Sequence, residues 1–185
     1  MSARRVVVSN GPDGKSRVQI DREAPRSSEL SSLPGFSPTL LWTTPTGATI
    51  GNSEVEDPTP SAVWLPCAGE THLMMVTFPP DAAMARADFD PMAFGAEMLA
   101  TLPGLAEKFE PGHPGMHATD SVDYDVVLDG EIVLELDDGQ TVQLGKHDVV
   151  IQHGTRHAWR NTSDHPRDHA FRADRRQPSV LRRTN

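Results

Sequence analysis

Apolar and polar positions along this chain fall mostly into short runs of four to eight residues separated by turn formers, a pattern that predicts strands rather than helices. Residues 5–9 and 16–20 are β-branched runs on either side of Asn10, Gly11, Pro12, Asp13 and Gly14, which predicts an N-terminal hairpin. Residues 23–61 are rich in Pro, Ser, Thr and Gly and read as loop or extended edge around one strand at 39–43. The run 71–78 is apolar and β-branched and is stopped by Pro79 and Pro80. One helix is predicted, over 91–101: Asp90 precedes Pro91 as an N-cap, and Met92, Phe94, Met98 and Leu99 supply the apolar positions. A shorter turn is expected at 105–109. From Asp123 onward the spacing becomes regular, with strands expected at 123–128, 132–136, 141–144, 148–152, 157–161 and 169–173, and turns at Asp129-Gly130, Asp137 to Gly139 and Gly145. This periodicity predicts an all-β, antiparallel sandwich or barrel with a hairpin extension and a helical insertion at 90–109. The insertion either roofs a pocket, covers a sheet edge or builds a dimer contact.

At 185 residues the chain suits one domain. The expected organisation is an N-terminal extension over 1–65, a barrel over 66–175 and a basic tail over 176–185. A formal net charge of -9 argues against nucleic acid as the main partner, because phosphate binding calls for a basic face. Cys67 is the single cysteine, so no intrachain disulfide forms, and it reads as an idle or packed thiol. The three valines after Arg4 and Arg5 are too short an apolar run for a secretory signal, and no window approaches a membrane span. A soluble cytoplasmic protein with no membrane partner is the expectation.

Candidate chemistry concentrates in two segments. His117, Thr119, Asp123 and Asp125 share strand parity, opposite to Val122, Tyr124, Val126 and Leu128. The polar face is either the wet side of a sandwich or the lining of a pocket. The second segment runs from Gly154 through His157 to Asn161, placing another imidazole near a strand start. His153 and His113 read as loop histidines, and Trp159 and Tyr124 as packing residues.

These two segments resemble the motifs of the cupin superfamily, small jelly-roll barrels. His117 stands at the first histidine of the first motif, Thr119 at its second histidine, Asp123 at its glutamate and Gly130 at its glycine. Gly154, His157 and Asn161 match the second motif, with Gln152 in place of its proline. The resemblance implies an antiparallel jelly-roll barrel and, from His117, Asp123 and His157, a reduced site for a divalent ion such as Fe, Mn, Ni or Zn, or a site that has lost its metal. Thr119, Asp125 and Gln152 would then orient substrate or move protons.

Two functions follow as expectations. The first is a mononuclear-metal enzyme acting on a small polar organic substrate by oxygenation, isomerisation, decarboxylation or lyase chemistry. The second is a metal-free module that binds a small ligand in an accessory or regulatory role. A homodimer formed through the hairpin or the insertion is the expected assembly.

Overall fold

The computed structural model describes residues 3–51 and 55–174, with side chains described through residue 167; the basic segment 176–185 lies outside the described residues. Eleven strands, one α-helix and four short 3-10 turns make up the described chain. β1 (Arg4–Asn10) and β2 (Ser16–Glu23) form the expected hairpin as a sheet of their own, with a bulge between Val7 and Val8. Arg5 fastens it to the body. Its guanidinium donates to Leu41 O at 3.0 Å and to Asp57, and sits 5.6 Å from the Trp42 ring centre.

The main sheet has six antiparallel strands in the order β3 (Arg26–Ser27), β4 (Ser37–Thr44), β5 (Thr71–Phe78), β11 (Arg167–Asp174), β6 (Val122–Val127) and β9 (Val149–His153). A three-stranded antiparallel sheet, β10 (Ala158–Arg160), β7 (Glu131–Glu135) and β8 (Thr141–Gly145), packs on one half of its inner face. Ile132, Leu134, Leu144 and Trp159 from the small sheet meet Val127 and Val150 from the large one.

The other half is covered by the helix α1 (Pro91–Thr101), whose Met98, with the following Leu102, packs on Leu40, Met74, Leu30 and Trp64. The helix begins where the sequence predicts. The Asp90 carboxylate accepts from Met92 N at 2.9 Å and Ala93 N at 3.1 Å, and Pro91 occupies a position whose missing N–H costs nothing. At its middle, Glu97 accepts from the backbone N–H groups of Ser31 at 2.9 Å and Ser32 at 2.8 Å, which ties the helix to the loop before β4.

The expected barrel is therefore corrected to a mostly antiparallel two-sheet architecture. No strand ladder joins the large sheet to the small one, and no sheet closes on itself among the described residues. The reason is visible in the chain: beside β4 and β5, the position facing the sheet is taken by a helix, which satisfies its own backbone and needs no strand partner. Among the described residues no helix is long and apolar enough to cross a membrane.

Candidate functional site

Strand β6 sets the polar floor of the site. Alternation turns Asp123, Asp125 and Val127 to the inner face and leaves Tyr124, 42% exposed, on the outer one. The polar parity of this strand thus points inward and the apolar parity outward. Asp125 is 3% exposed; its Oδ2 accepts from Gln152 Nε2 at 2.8 Å, and its Oδ1 has no partner among the described residues. Gln152 stands behind it on β9, its own Oε1 accepting from Thr155 Oγ1 at 3.0 Å. Burial pushes the Asp125 carboxyl up to about 7, against the hydrogen bond from Gln152, and the neighbouring Asp123 charge adds to the rise.

Asp123 lies two residues earlier on the same face. Ser121 Oγ donates to Thr119 Oγ1 at 2.8 Å, and Thr119 Oγ1 donates onward to Asp123 Oδ2 at 3.3 Å, while Asp123 Oδ1 is buried without a partner among the described residues. Burial raises the Asp123 carboxyl as well.

The two imidazoles arrive by a different route from that expected. His117 precedes β6 in an isolated bridge and exchanges both backbone hydrogen bonds with His157, each at 2.9 Å. Their rings are 4.4 Å apart, and Phe109 stacks on the other side of His117 at 4.5 Å. Nδ1 of His117 meets Gly115 O at 3.1 Å and Nδ1 of His157 meets Thr155 O at 2.9 Å. A carbonyl only accepts, so each Nδ1 holds the proton and each Nε2 is left as an acceptor. Burial lowers both histidines; for His117 the neighbouring His157 adds to the effect and brings it to about 4.

Gly154 lets the second segment approach the first. Its φ is +62°, and a Cβ there would lie 3.1 Å from Thr119 O. Asn161 has a structural role, its side chain donating to Phe78 O at 2.9 Å and His165 O at 2.7 Å. His113 is exposed in a loop, as read from sequence; His153 is exposed too, but it ends β9, paired with Val122, instead of lying in a loop.

The metal expectation is overturned. Among the described residues no group of three or more His, Cys, Asp or Glu side chains is placed to hold an ion. Thr119 occupies the place of a third imidazole, and Asp123, one methylene shorter than glutamate, is drawn into the hydrogen-bond chain from Ser121. His117, Asp123 and His157 therefore do not form the expected ligand set for Fe, Mn, Ni or Zn, and the expected metal-dependent enzyme falls with it.

What the residues do form is one wall of a cavity of about 720 Å³. His117, Thr119, Asp123, Asp125 and His157 all line it, and Gln152 braces it from behind. Much of the remaining lining is apolar: Phe94, Met98 and Leu102 from the insertion, Phe36 and Phe89, and Met74 from the large sheet. The insertion, left open between three roles on sequence, roofs the pocket. Phe109 and Ser121 were not singled out from sequence. Phe109 falls in the short turn expected at 105–109, and Ser121 has the parity of the polar set, which is the signal that marks it.

No family model matches the chain. Among curated proteins, a segment of 81 residues is 46% identical to phomopsin biosynthesis cluster protein D of Diaporthe leptostromiformis, covering 37% of this chain and 41% of that protein. A segment of 52 residues is 56% identical to phomopsin biosynthesis cluster protein C' of the same organism, covering 28% of each. The chain thus spans about two fifths or less of the length of these relatives. Among solved structures, a cupin 2 conserved barrel domain protein from Salinispora arenicola CNS-205 is 14% identical, with a TM-score of 0.38 over 77% of this chain and 78% of that one.

Proposed function

We propose that this chain is a cupin-type binding protein that takes a small organic ligand without a metal ion. The observation that carries this reading is the cavity of about 720 Å³ between the polar face of β6 and the apolar face of α1. Its size falls within the range that encloses a drug-sized molecule, and its make-up, apolar walls with a few convergent polar groups, is that of a ligand site rather than a packing defect. A polar inner strand face without a ligand or water to meet it is costly, which supports the same reading. The order and spacing of the two segments around His117 and His157 support the cupin assignment. The relatives are named for biosynthesis clusters of a natural product, which supports an intermediate or product of such a pathway as the ligand. Thr119 and Asp125 then orient the ligand's polar end, with Gln152 holding Asp125 in place.

The test uses the neutral fluorescent probe N-phenyl-1-naphthylamine. Its emission should rise saturably on adding the protein, unchanged after exhaustive dialysis against EDTA. Val76→Phe and Met98→Trp, which fill the cavity from the sheet and the helix, should each abolish the rise while circular dichroism stays native. Absence of saturable binding, or binding that both filled variants retain, refutes the proposal.

A further inference from the structure

We infer that the ligand's polar end is a cationic nitrogen, an ammonium or guanidinium group, seated between Asp123 and Asp125 with an apolar body lying under α1. The inference rests on the binding reading above and names the ligand class for that site. It starts from donor and acceptor capacity. Asp123 and Asp125 sit two residues apart on one strand face, so their carboxyl groups project side by side. Each has an Oδ1 that is buried and lacks a hydrogen-bond partner among the described residues, and Asp125 as a whole is 97% buried.

The rest of the floor adds acceptors rather than donors. Both imidazoles spend their Nδ1 proton on a backbone carbonyl and keep Nε2 as a lone pair. The hydroxyl protons of Ser121 and Thr119 are spent in the chain that ends on Asp123. A ligand group that suits this floor must bring several N–H donors, which an ammonium or guanidinium does and a carboxylate or phosphate does not.

Charge points the same way. Besides Asp123 and Asp125, the cavity is lined by Asp81, Glu107 and Glu110, whereas its one lining Arg or Lys among the described residues, Arg160, is paired with Glu135 at 2.5 Å. Glu110 is paired with Arg156 at 2.7 Å, Asp81 accepts from Asn161 N at 3.1 Å and Glu107 from Gly104 N at 2.6 Å, whereas Asp123 and Asp125 hold the buried carboxyl oxygens that lack a partner among the described residues, which favours the floor for a cation. An uncompensated pair of buried carboxyls this close cannot both ionise cheaply; a cation between them relieves both the repulsion and the missing hydrogen bonds. The apolar body follows from Phe36, Phe94 and Met98 in the same cavity, since a bare ammonium would leave those walls unmatched.

Displacement of N-phenyl-1-naphthylamine at pH 7.5 by three compounds of closely matched length tests this: 4-phenylbutylamine, 4-phenylbutan-1-ol and 4-phenylbutyrate. The amine should compete about tenfold or more better than the alcohol, and the carboxylate worst. Asp125→Asn and Asp123→Asn should each weaken the amine about tenfold and change the alcohol by less than about twofold. If the alcohol or the carboxylate competes as well as the amine, or if the Asn variants weaken all three alike, the cationic assignment is wrong while the binding proposal stands. If the probe itself fails to bind, both fall. Should one Asn variant fail to fold, the wild-type ranking and the other variant still decide.

Discussion

Asp125 has one carboxyl oxygen held by Gln152 and another without a partner among the described residues, and this asymmetry has a measurable signature. In the unfolded chain the group titrates near 3.8; in the folded protein burial moves it to about 7. Between these values the folded state binds the proton more tightly, so the contribution of Asp125 to stability is full below about 3.8 and is lost as pH rises through about 7, with a slope of at most about 1.4 kcal/mol per pH unit. His117 and His157 have the opposite sign, their lowered values costing stability as pH falls below the ordinary imidazole range. Comparison with Asp125→Asn isolates the carboxyl: the melting temperature of the variant minus that of the wild type should increase from pH 4 to pH 8, and a flat difference would show that Asp125 does not hold a proton in the fold. Gly154 gives a second residue-scale outcome. Gly154→Ala puts a side chain at φ +62° and 3.1 Å from Thr119 O, so thermal unfolding should show a loss of about 1–2 kcal/mol or more. Much of this was legible in the sequence: parity alone groups Thr119, Asp123 and Asp125, and Gly154 falls at the turn. The missing piece was direction. Alternation shows that one face is polar but not whether that face meets water, because the answer depends on which other sheet or helix packs against it.

At the scale of elements, α1 is held by devices at its start and middle. Asp90→Ala removes the cap and should lower stability by about 1 kcal/mol in denaturant titration. Glu97→Gln weakens the hold on Ser31 and Ser32, whose N–H groups and hydroxyls keep the Glu97 carboxyl down at about 2. Hydrogen exchange in residues 91–101 should then accelerate while exchange in β5 and β6 stays unchanged; equal acceleration everywhere would mean that the clasp supports the whole fold instead of the roof. The helix and most strands were readable because their signals are local: Asp90-Pro91 at the helix start, Pro79-Pro80 after β5, Gly130 between β6 and β7. The approach to β6 was not. The strand expected at 123–128 is β6, which begins at Val122, but His117, grouped with it only by parity, is held by an isolated bridge to His157, a contact forty residues away that periodicity does not encode.

Taken whole, the large sheet carries two separate apolar clusters, one under the small sheet and one under α1, with the cavity among them. Leu134→Ala and Leu102→Ala, each in a different cluster, should both cost about 2–5 kcal/mol in unfolding free energy, but only Leu102→Ala should alter the affinity for N-phenyl-1-naphthylamine, because Leu102 lines the cavity and Leu134 does not. The antiparallel architecture was legible from strand spacing, whereas closure was not: closure depends on whether edge strands find partners, and here a helix takes that place. That substitution also separates tasks by timescale. A strand in a closed ladder leaves its neighbours only when several backbone hydrogen bonds break together, while a helix retains its own ladder and is held to the body by Glu97, by the hydrogen bond from Trp64 Nε1 to Thr101 O at 2.7 Å and by the packing of Met98. For a ligand bound as proposed, Glu97→Gln should therefore speed entry and exit together and leave the dissociation constant nearly unchanged, with residence time following the roof and selectivity the floor.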